Sequence, residues 1–183
     1  VVEARFSLVM LMEFFDESLI LLKELLCWEL EDIVYFQLNS RALGLVRRLG
    51  PELEGLALSW NHLDARLYRH FNRSFWLKVD RFGRTRMSWE LAELKWLNQR
   101  MAKACLDGQG PIEASRIRQA SHRPWQPVGS RGIVGYQLRE GVDQAHRDLC
   151  DSMLTPELQY MARLGVNLWR VRLWAWLRDL FDW

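Results

Sequence analysis

Near its start the chain carries an unbroken apolar run, Phe6 to Met12, "FSLVMLM". A strand buried on both faces in the middle of a parallel sheet has this pattern, because neither face meets water. Glu13 to Phe15 lead out of the run. Asp16 has the chemistry of a helix N-cap, acidic Glu17 suits the positive helix start, and Leu19, Leu22, Leu25 and Leu26 continue the helical period. The pattern predicts a strand passing into a capped helix, an α/β unit within residues 1–40. One strand makes no sheet and the chain starts at Val1, so partner strands are expected upstream of it. Asp16, Glu17, Lys23 and Glu24 interrupt the stretch "FFDESLILLKELLCW", whereas a membrane span needs about 20 nearly uncharged residues.

After "ELEDIVYFQLNSR" the pattern breaks at Gly44, Gly50, Pro51 and Gly55, a loop or linker. A helical period returns from Leu58 to Phe82, with Leu63, Leu67, Phe71, Phe75, Val79 and Phe82 on one face. Gly83 interrupts it, and a second helix follows through Met87, Leu91, Leu94, Met101 and Ala104, ending near Asp107-Gly108. Residues 56–107 are therefore expected as a helical hairpin. Residues 108–183 read as a loop followed by C-terminal helices. A short helix is expected after Pro111, then a loop around "RPWQPVGSRGIVGY". Gly141 to Met153 follows as a helix with Val142, His146 and Leu149 on one face. Thr155-Pro156-Glu157 is a helix start, with Pro at the first helical position, and Gly165 a stop. The last segment, "NLWRVRLWAWLRDLFDW", is amphipathic, with Trp169, Leu173, Trp176, Leu177 and Leu180 on one stripe.

Composition narrows this picture. At 183 residues, with 49% hydrophobic and 26% charged, the chain has the balance of one globular domain. A net charge of +2 is too close to neutral to imply a nucleic-acid partner. Ten Trp are many for this length; clustered Trp suits a core, a carbohydrate platform or a membrane interface, and the core is the expected use. Three cysteines without a C-x-x-C pair exclude the usual zinc spacing, and no metal is expected. They allow one disulfide and one buried thiol. Cys27, among Leu25, Leu26 and Trp28, reads as the buried one, and a Cys105–Cys150 bridge would contribute about 4 kcal/mol in the chain-entropy picture. Asn72-Arg73-Ser74 is an N-glycosylation sequon.

The four histidines are scattered, and no H-E-x-x-H, G-x-S-x-G, G-x-x-x-x-G-K-[ST] or G-x-G-x-x-G motif occurs. "RFGRTR", Arg81 to Arg86, is basic, but it falls at a helix break and reads as a solvated corner. Gly129-Ser130-Arg131-Gly132 alone has phosphate-binding character: glycines admit an anion close to the backbone, Ser donates, and Arg forks onto phosphate oxygens. A structural turn is the alternative.

The stretch "LMEFFDESLILLKELLCWELEDIVYFQLNSR" closely resembles the galactose 3-O-sulfotransferase family. The similarity continues through "DARLYRHFNRSFWLKV", "PWQPVGSRGIVGYQL" and "LCDSMLTPELQYMARLGVNLW"; residues 108–123 depart most from it. The resemblance implies an α/β, P-loop-like sulfotransferase fold, of which residues 1–183 are the mainly helical C-terminal portion with one or few core strands. It implies a type II membrane enzyme on the luminal side of the Golgi, anchored by a segment missing from this chain. Such enzymes transfer sulfate from 3'-phosphoadenosine 5'-phosphosulfate (PAPS) to the 3-hydroxyl of galactose, in galactosylceramide or in glycoprotein glycans. In that oxidising lumen, glycosylation of Asn72 and the Cys105–Cys150 bridge become expectations.

The chemistry implied is in-line displacement at sulfur, with a base taking the hydroxyl proton and cationic donors stabilising the departing phosphate. The family's T-x-K-T-like phosphosulfate loop and its 3'-phosphate segment have no match here. Both are expected upstream of Val1, so no catalytic residue is carried over and the chain alone is expected to be inactive. By analogy with a late basic loop of sulfotransferases, Ser130, Arg131 and Gly132 are the candidates for the 3'-phosphate. Trp60, Asn61 and His62 are candidates for the acceptor sugar, against a plain helix-start cluster. The competing readings are a catalytically dead shortened homologue and a helical membrane-surface or interaction module built on the C-terminal helix.

Overall fold

The structure, a computed structural model, describes residues 5–42, 44, 49–108, 110–126, 132–167, 169–170, 173–174 and 176–177. The chain forms two compact units, one from Val1–Tyr35 with Arg47–Arg100, the other from Phe36–Val46 with Met101–Trp183.

In the first unit, α1 (Phe15–Leu26) carries Asp16 and Glu17 in its first turn. Its N-cap is Phe14, not Asp16, and a short 3-10 turn, Met12–Phe14, precedes it. The strand expected at Phe6 to Met12 is absent among the described residues. Its backbone groups take side-chain partners instead of a ladder. The Leu11 N–H donates to Ser18 Oγ at 3.0 Å, the Ser18 hydroxyl donates to the Leu11 carbonyl at 3.2 Å, and Lys78 Nζ donates to the Ser7 carbonyl at 3.0 Å. The apolar pattern was read correctly as burial only in part: Leu11 is buried, whereas Phe6 and Met10 are exposed.

Cys27 is likewise exposed and not the expected core thiol. It ends α1 at φ +55°, and the next N–H, of Trp28, returns to the Lys23 carbonyl at 3.0 Å. The left-handed residue closes the helix end, where Leu25 and Leu26 are already exposed.

Pro51 starts α2 (Pro51–Trp60), and Asn61 alone separates it from α3 (His62–Phe82). Helical hydrogen bonding continues across the joint, from the Asn61 N–H to Ala57 and from the Ala65 N–H to Asn61. Of the stripe expected on α3, Phe71, Phe75 and Val79 are buried, while Leu63 and Leu67 stay exposed. Gly83, at φ +102°, a conformation other residues rarely adopt, breaks the helix before α4 (Arg84–Cys105). Phe75 and Val79 join Met87 and Leu94 of α4, Ile20 and Leu21 of α1, Leu11 and Ile33 in one core cluster. Phe14 stacks on Phe75 and meets Trp76 edge-on.

The second unit holds the only strand pair among the described residues, β1 (Ile112–Glu113) antiparallel to β2 (Val134–Gly135). The sheet is small and antiparallel, and Ile112–Glu113 stands where a short helix was expected; 3-10 turns at Ala114–Arg116 and Ala120–His122 follow it. Gly135 is required by close approach, since a Cβ there would lie 2.8 Å from Ile117 Cδ1 and 3.1 Å from Pro124 Cδ. Two helices follow, α5 (Gln144–Leu154) and α6 (Glu157–Arg163). The face α5 buries is Cys150 and Leu154, not the predicted His146 and Leu149, which are exposed. Cys105, Cys150, Leu138 and Leu154 make a second core cluster, flanked by Phe36, Met101 and Tyr136.

Thr155 does not cap α6. Its hydroxyl donates back to the Asp151 carbonyl at 2.6 Å, and Pro156 takes the N-cap position. Gly165, at φ +82°, follows the helix end as expected. The predicted last helix lies largely outside the described residues. Core packing does not account for the tryptophans either: Trp28, Trp60, Trp89, Trp96, Trp125, Trp169, Trp174 and Trp176 are exposed, and Trp76 is half-buried. No helix among the described residues is long and apolar enough to cross a membrane.

Candidate functional site

The phosphate-loop candidates Ser130 and Arg131 lie outside the described residues. Gly132, at the end of that loop, is buried, and its carbonyl accepts the Ala42 N–H at 2.8 Å. The loop is also closed by the Gln126 side chain. Its Nε2 donates to the Ile133 carbonyl at 2.9 Å, and its Oε1 accepts the Ile133 N–H at 3.0 Å. A single amide thus satisfies both backbone groups of Ile133.

Next to this closure a cleft of about 450 Å³ opens between Asn39, Trp125, Ile133, Pro156, Glu157 and Gln159. Trp125 is nearly half exposed. Gln159 Nε2 donates to the Arg123 carbonyl at 2.8 Å, which holds the strand of chain leading into Trp125 against α6. Gln159 Oε1 is buried without a hydrogen-bond partner.

In the same unit three segments meet in a charged cluster. His122 is buried, with Nε2 2.7 Å from Asp151 Oδ1, and Arg163 donates to Asp151 Oδ2 at 2.7 Å. Burial alone would raise the Asp151 pKa, but the hydrogen bonds from Arg163 and His122 outweigh it and hold the carboxyl below the usual range. With its ring wholly enclosed, His122 positions these segments and cannot itself reach a ligand. Burial likewise pushes the Tyr136 phenol up.

PAPS carries phosphate groups that need open cationic donors. Around this loop, Arg118 pairs with Asp107 and Glu140, Arg123 Nε donates to the Ile117 carbonyl, and Arg163 is held by Asp151. Arg41, exposed and bridged through its backbone to Ile133, stands beside the residue that follows the loop.

The acceptor candidates sit in the first unit. Trp60 is 88% exposed at the end of α2, and the Asn61 amide is occupied by the Ala57 carbonyl at 2.9 Å. Asn61 and His62 line a shallow groove of about 800 Å³ with Leu58, Ala65 and Tyr68; Trp60 is not part of its wall. Asn72 lies within α3, half-buried, its Nδ2 3.2 Å from the Tyr68 hydroxyl. Cys105 and Cys150 are joined in a disulfide with Cα atoms 5.3 Å apart.

Sequence reasoning did not single out Trp125, Glu157, Gln159, His122 or Asp151. No spacing rule could have found them, since His122 and Trp125 lie about 30 residues before the two helices that carry Asp151, Glu157 and Gln159; the runs "RPWQPV" and "TPELQY" were the only signal.

Comparison with known proteins adds to this geometry. Residues 1–168 match the family described as galactose-3-O-sulfotransferase. The chain is similar to galactosylceramide sulfotransferase of Bos taurus and of Homo sapiens, each 53% identical over 182 residues, which is 100% of this chain and 43% of the relative. It is 44% identical to galactose-3-O-sulfotransferase 2 of Sus scrofa over 164 residues, 89% of this chain and 41% of that protein. No solved structure matches. The chain thus spans less than half the length of these relatives.

Proposed function

Because the chain belongs to the galactose-3-O-sulfotransferase family, we propose that this protein transfers sulfate from PAPS to the 3-hydroxyl of a galactose on a glycolipid or glycan. The observation that carries the reading is the 53% identity with galactosylceramide sulfotransferase along the whole chain. In this reading residues 1–183 form the C-terminal portion of one P-loop-like sulfotransferase domain. Residues 1–40, 56–107 and 108–183 are its successive parts.

PAPS supplies the activated sulfuryl group. Ser130 and Arg131 are the proposed contacts to its 3'-phosphate; Gly132, the next residue, accepts the Ala42 N–H. Trp60, Asn61 and His62 remain acceptor candidates: the exposed indole offers a stacking face, and His62 offers a ring nitrogen. A luminal Golgi location with a membrane anchor follows from the family reading. The Cys105–Cys150 disulfide supports an oxidising compartment.

The test is sulfate transfer from PAPS to galactosylceramide and to lactose. It is run with this 183-residue chain and with a form extended to the relatives' length. Turnover is expected in the extended form alone, with an increase of about tenfold in KM for PAPS on Arg131→Ala, the loss of one charge-assisted contact. No transfer by the extended form to either acceptor sinks the reading. In secreted material, N-glycosidase is expected to shift the wild type and leave Asn72→Gln unmoved.

A second reading, a membrane-surface module, draws on the exposure of Trp169, Trp174 and Trp176. Sedimentation of the chain with neutral and anionic vesicles would support it, and its absence would remove it.

A further inference from the structure

We propose that the cavity on α3 lined by Ser74, Lys78 and Arg81 is a binding site for a sulfate or phosphate monoester whose organic part is about one ring in size. It is made of residues other than Ser130 and Arg131 and belongs to the first unit. The site itself does not rest on the sulfotransferase reading; which side of that reaction it serves does.

The lining comes mainly from one helix face. Phe71, Ser74, Phe75 and Lys78 follow the helical repeat along α3, so their side chains are neighbours, and Arg81 continues the row one turn on. Phe6 and Val9 help to complete a cavity of about 320 Å³. Lys78 Nζ donates to the Ser7 carbonyl at 3.0 Å, which ties that segment to α3.

The apolar part of the lining is set before any ligand arrives, which lowers the entropy lost on binding. Phe71 and Phe75 are buried. The Phe75 ring stacks on Phe14 and meets Trp76 edge-on, and Phe71 meets His70 edge-on.

Three donors share this lining. Lys78 is half-buried, and the bond to Ser7 uses one ammonium proton and leaves two. The Arg81 guanidinium makes no hydrogen bond or ion pair among the described residues, whereas Arg84 is held by Asp80, and Arg86 by Glu24 and Glu90. The Ser74 hydroxyl has no partner among the described residues either. Like charges one turn apart on a helix repel, and an anion between Lys78 and Arg81 would relieve them both.

The donor set selects the ligand. An ammonium, a guanidinium and a hydroxyl together match the three terminal oxygens of a sulfate or phosphate ester better than the two of a carboxylate. The aromatic lining requires that the anion be carried on carbon, since a bare ion would leave Phe6, Phe71 and Phe75 uncovered. The volume lies at the low end for small-molecule sites and limits that carbon body to about one ring. A sulfated sugar and a nucleotide's ribose phosphate are two sources of this same chemistry.

Saturation-transfer NMR on the full chain tests the site, with methyl β-D-galactopyranoside 3-sulfate and with adenosine 3'-monophosphate as probes. Binding of at least one ester is expected. Arg81→Gln should weaken it about tenfold, the loss of one charge-assisted contact, and added salt should weaken it further. Arg81 is exposed, so an unchanged melting temperature is expected for this variant. Arg84→Gln, the same change of charge at a residue outside the lining, should leave binding as it was. Preference for the sugar sulfate assigns the site to the acceptor side of the proposed reaction, and preference for the nucleotide assigns it to the donor side; either upholds it. No binding of either ester overturns the proposal. So does equal binding of unsulfated methyl β-D-galactopyranoside, or an equal loss in Arg81→Gln and Arg84→Gln, which would mean diffuse surface charge. Binding that depends on Arg131 and not on Arg81 overturns it as well. The sulfotransfer assay keeps the two readings apart. If the extended form transfers sulfate and ester binding ignores Arg81→Gln, the site fails and the function stands. If no transfer occurs but an ester binds in an Arg81-dependent way, the site stands and the function fails.

Discussion

At the scale of single residues, the first unit is organised around buried charge. Lys23 and Glu90 are an ion pair at 2.8 Å, with side chains only 10% and 5% exposed. Arg86 joins the pair from the rim, reaching Glu90 Oε1 at 2.8 Å and Glu24 Oε2 at 2.7 Å. The hydrogen bond from Arg86, helped by its charge and opposed by burial, holds the Glu24 carboxyl below its ordinary value. Removing one member of a buried pair costs more than the pair contributes, because the other charge is stranded. Lys23→Met is expected to lower stability by about 3 kcal/mol, the low end for such a break because Arg86 still serves Glu90. The double change Lys23→Met with Glu90→Leu should recover most of the loss. Urea denaturation of the three proteins checks this, and equal midpoints for wild type and Lys23→Met would show that the pair carries no such role. None of this was legible along the chain: in a linear pattern Lys23 counts only as a polar interruption of an apolar helix. Its pairing with a residue 67 positions later exists only once α1 and α4 meet.

At the scale of elements, the helices were the part best read in advance, and their partners the part least. The α3 period, the break at Gly83 and the start at Pro51 follow from rules that act within a few residues. Which part of a stripe is covered does not. Leu53, Leu56, Trp60, Leu63 and Leu67 recur at alternating spacings of three and four, yet all are exposed in this chain. The junction of α5, α6 and the Ala120–His122 turn is held by the Asp151 carboxylate between His122 and Arg163. Its folded pKa is depressed. The stability it contributes is therefore present above the unfolded carboxylate value, near 4, and is lost as pH falls through the lower folded value. Melting temperatures of wild type and Asp151→Asn should be well separated at pH 6 and converge toward pH 3. A gap that does not change with pH would mean the variant acts through packing and not through the carboxylate's charge.

At the scale of the whole molecule, the disulfide is the covalent feature that constrains the second unit most. Cys105 and Cys150 are 45 residues apart and both lie fully buried in its core cluster, so the bridge closes a segment that includes Trp125 and Ile133 of the cleft wall. In the chain-entropy picture this contributes about 4 kcal/mol. Cys105→Ser with Cys150→Ser is expected to lower stability by that order. Unchanged thermal unfolding would contradict it.

The sequence by itself determined the family, the positions of most helices, their breaks at Gly83 and Gly165, and two cysteines that could meet. Those outcomes depend on local backbone preferences and on long ordered similarity, both of which are written in consecutive residues. Tertiary structure decided the rest. It placed no strand at residues 6–12 among the described residues, and there side chains of Ser18 and Lys78 bond the backbone of Leu11 and Ser7. It put Cys27 outside, through a left-handed turn, and it gathered Asn39, Trp125, Glu157 and Gln159 around one cleft. Burial and side-chain pairing depend on which distant segments come together, and no periodicity along the chain encodes that.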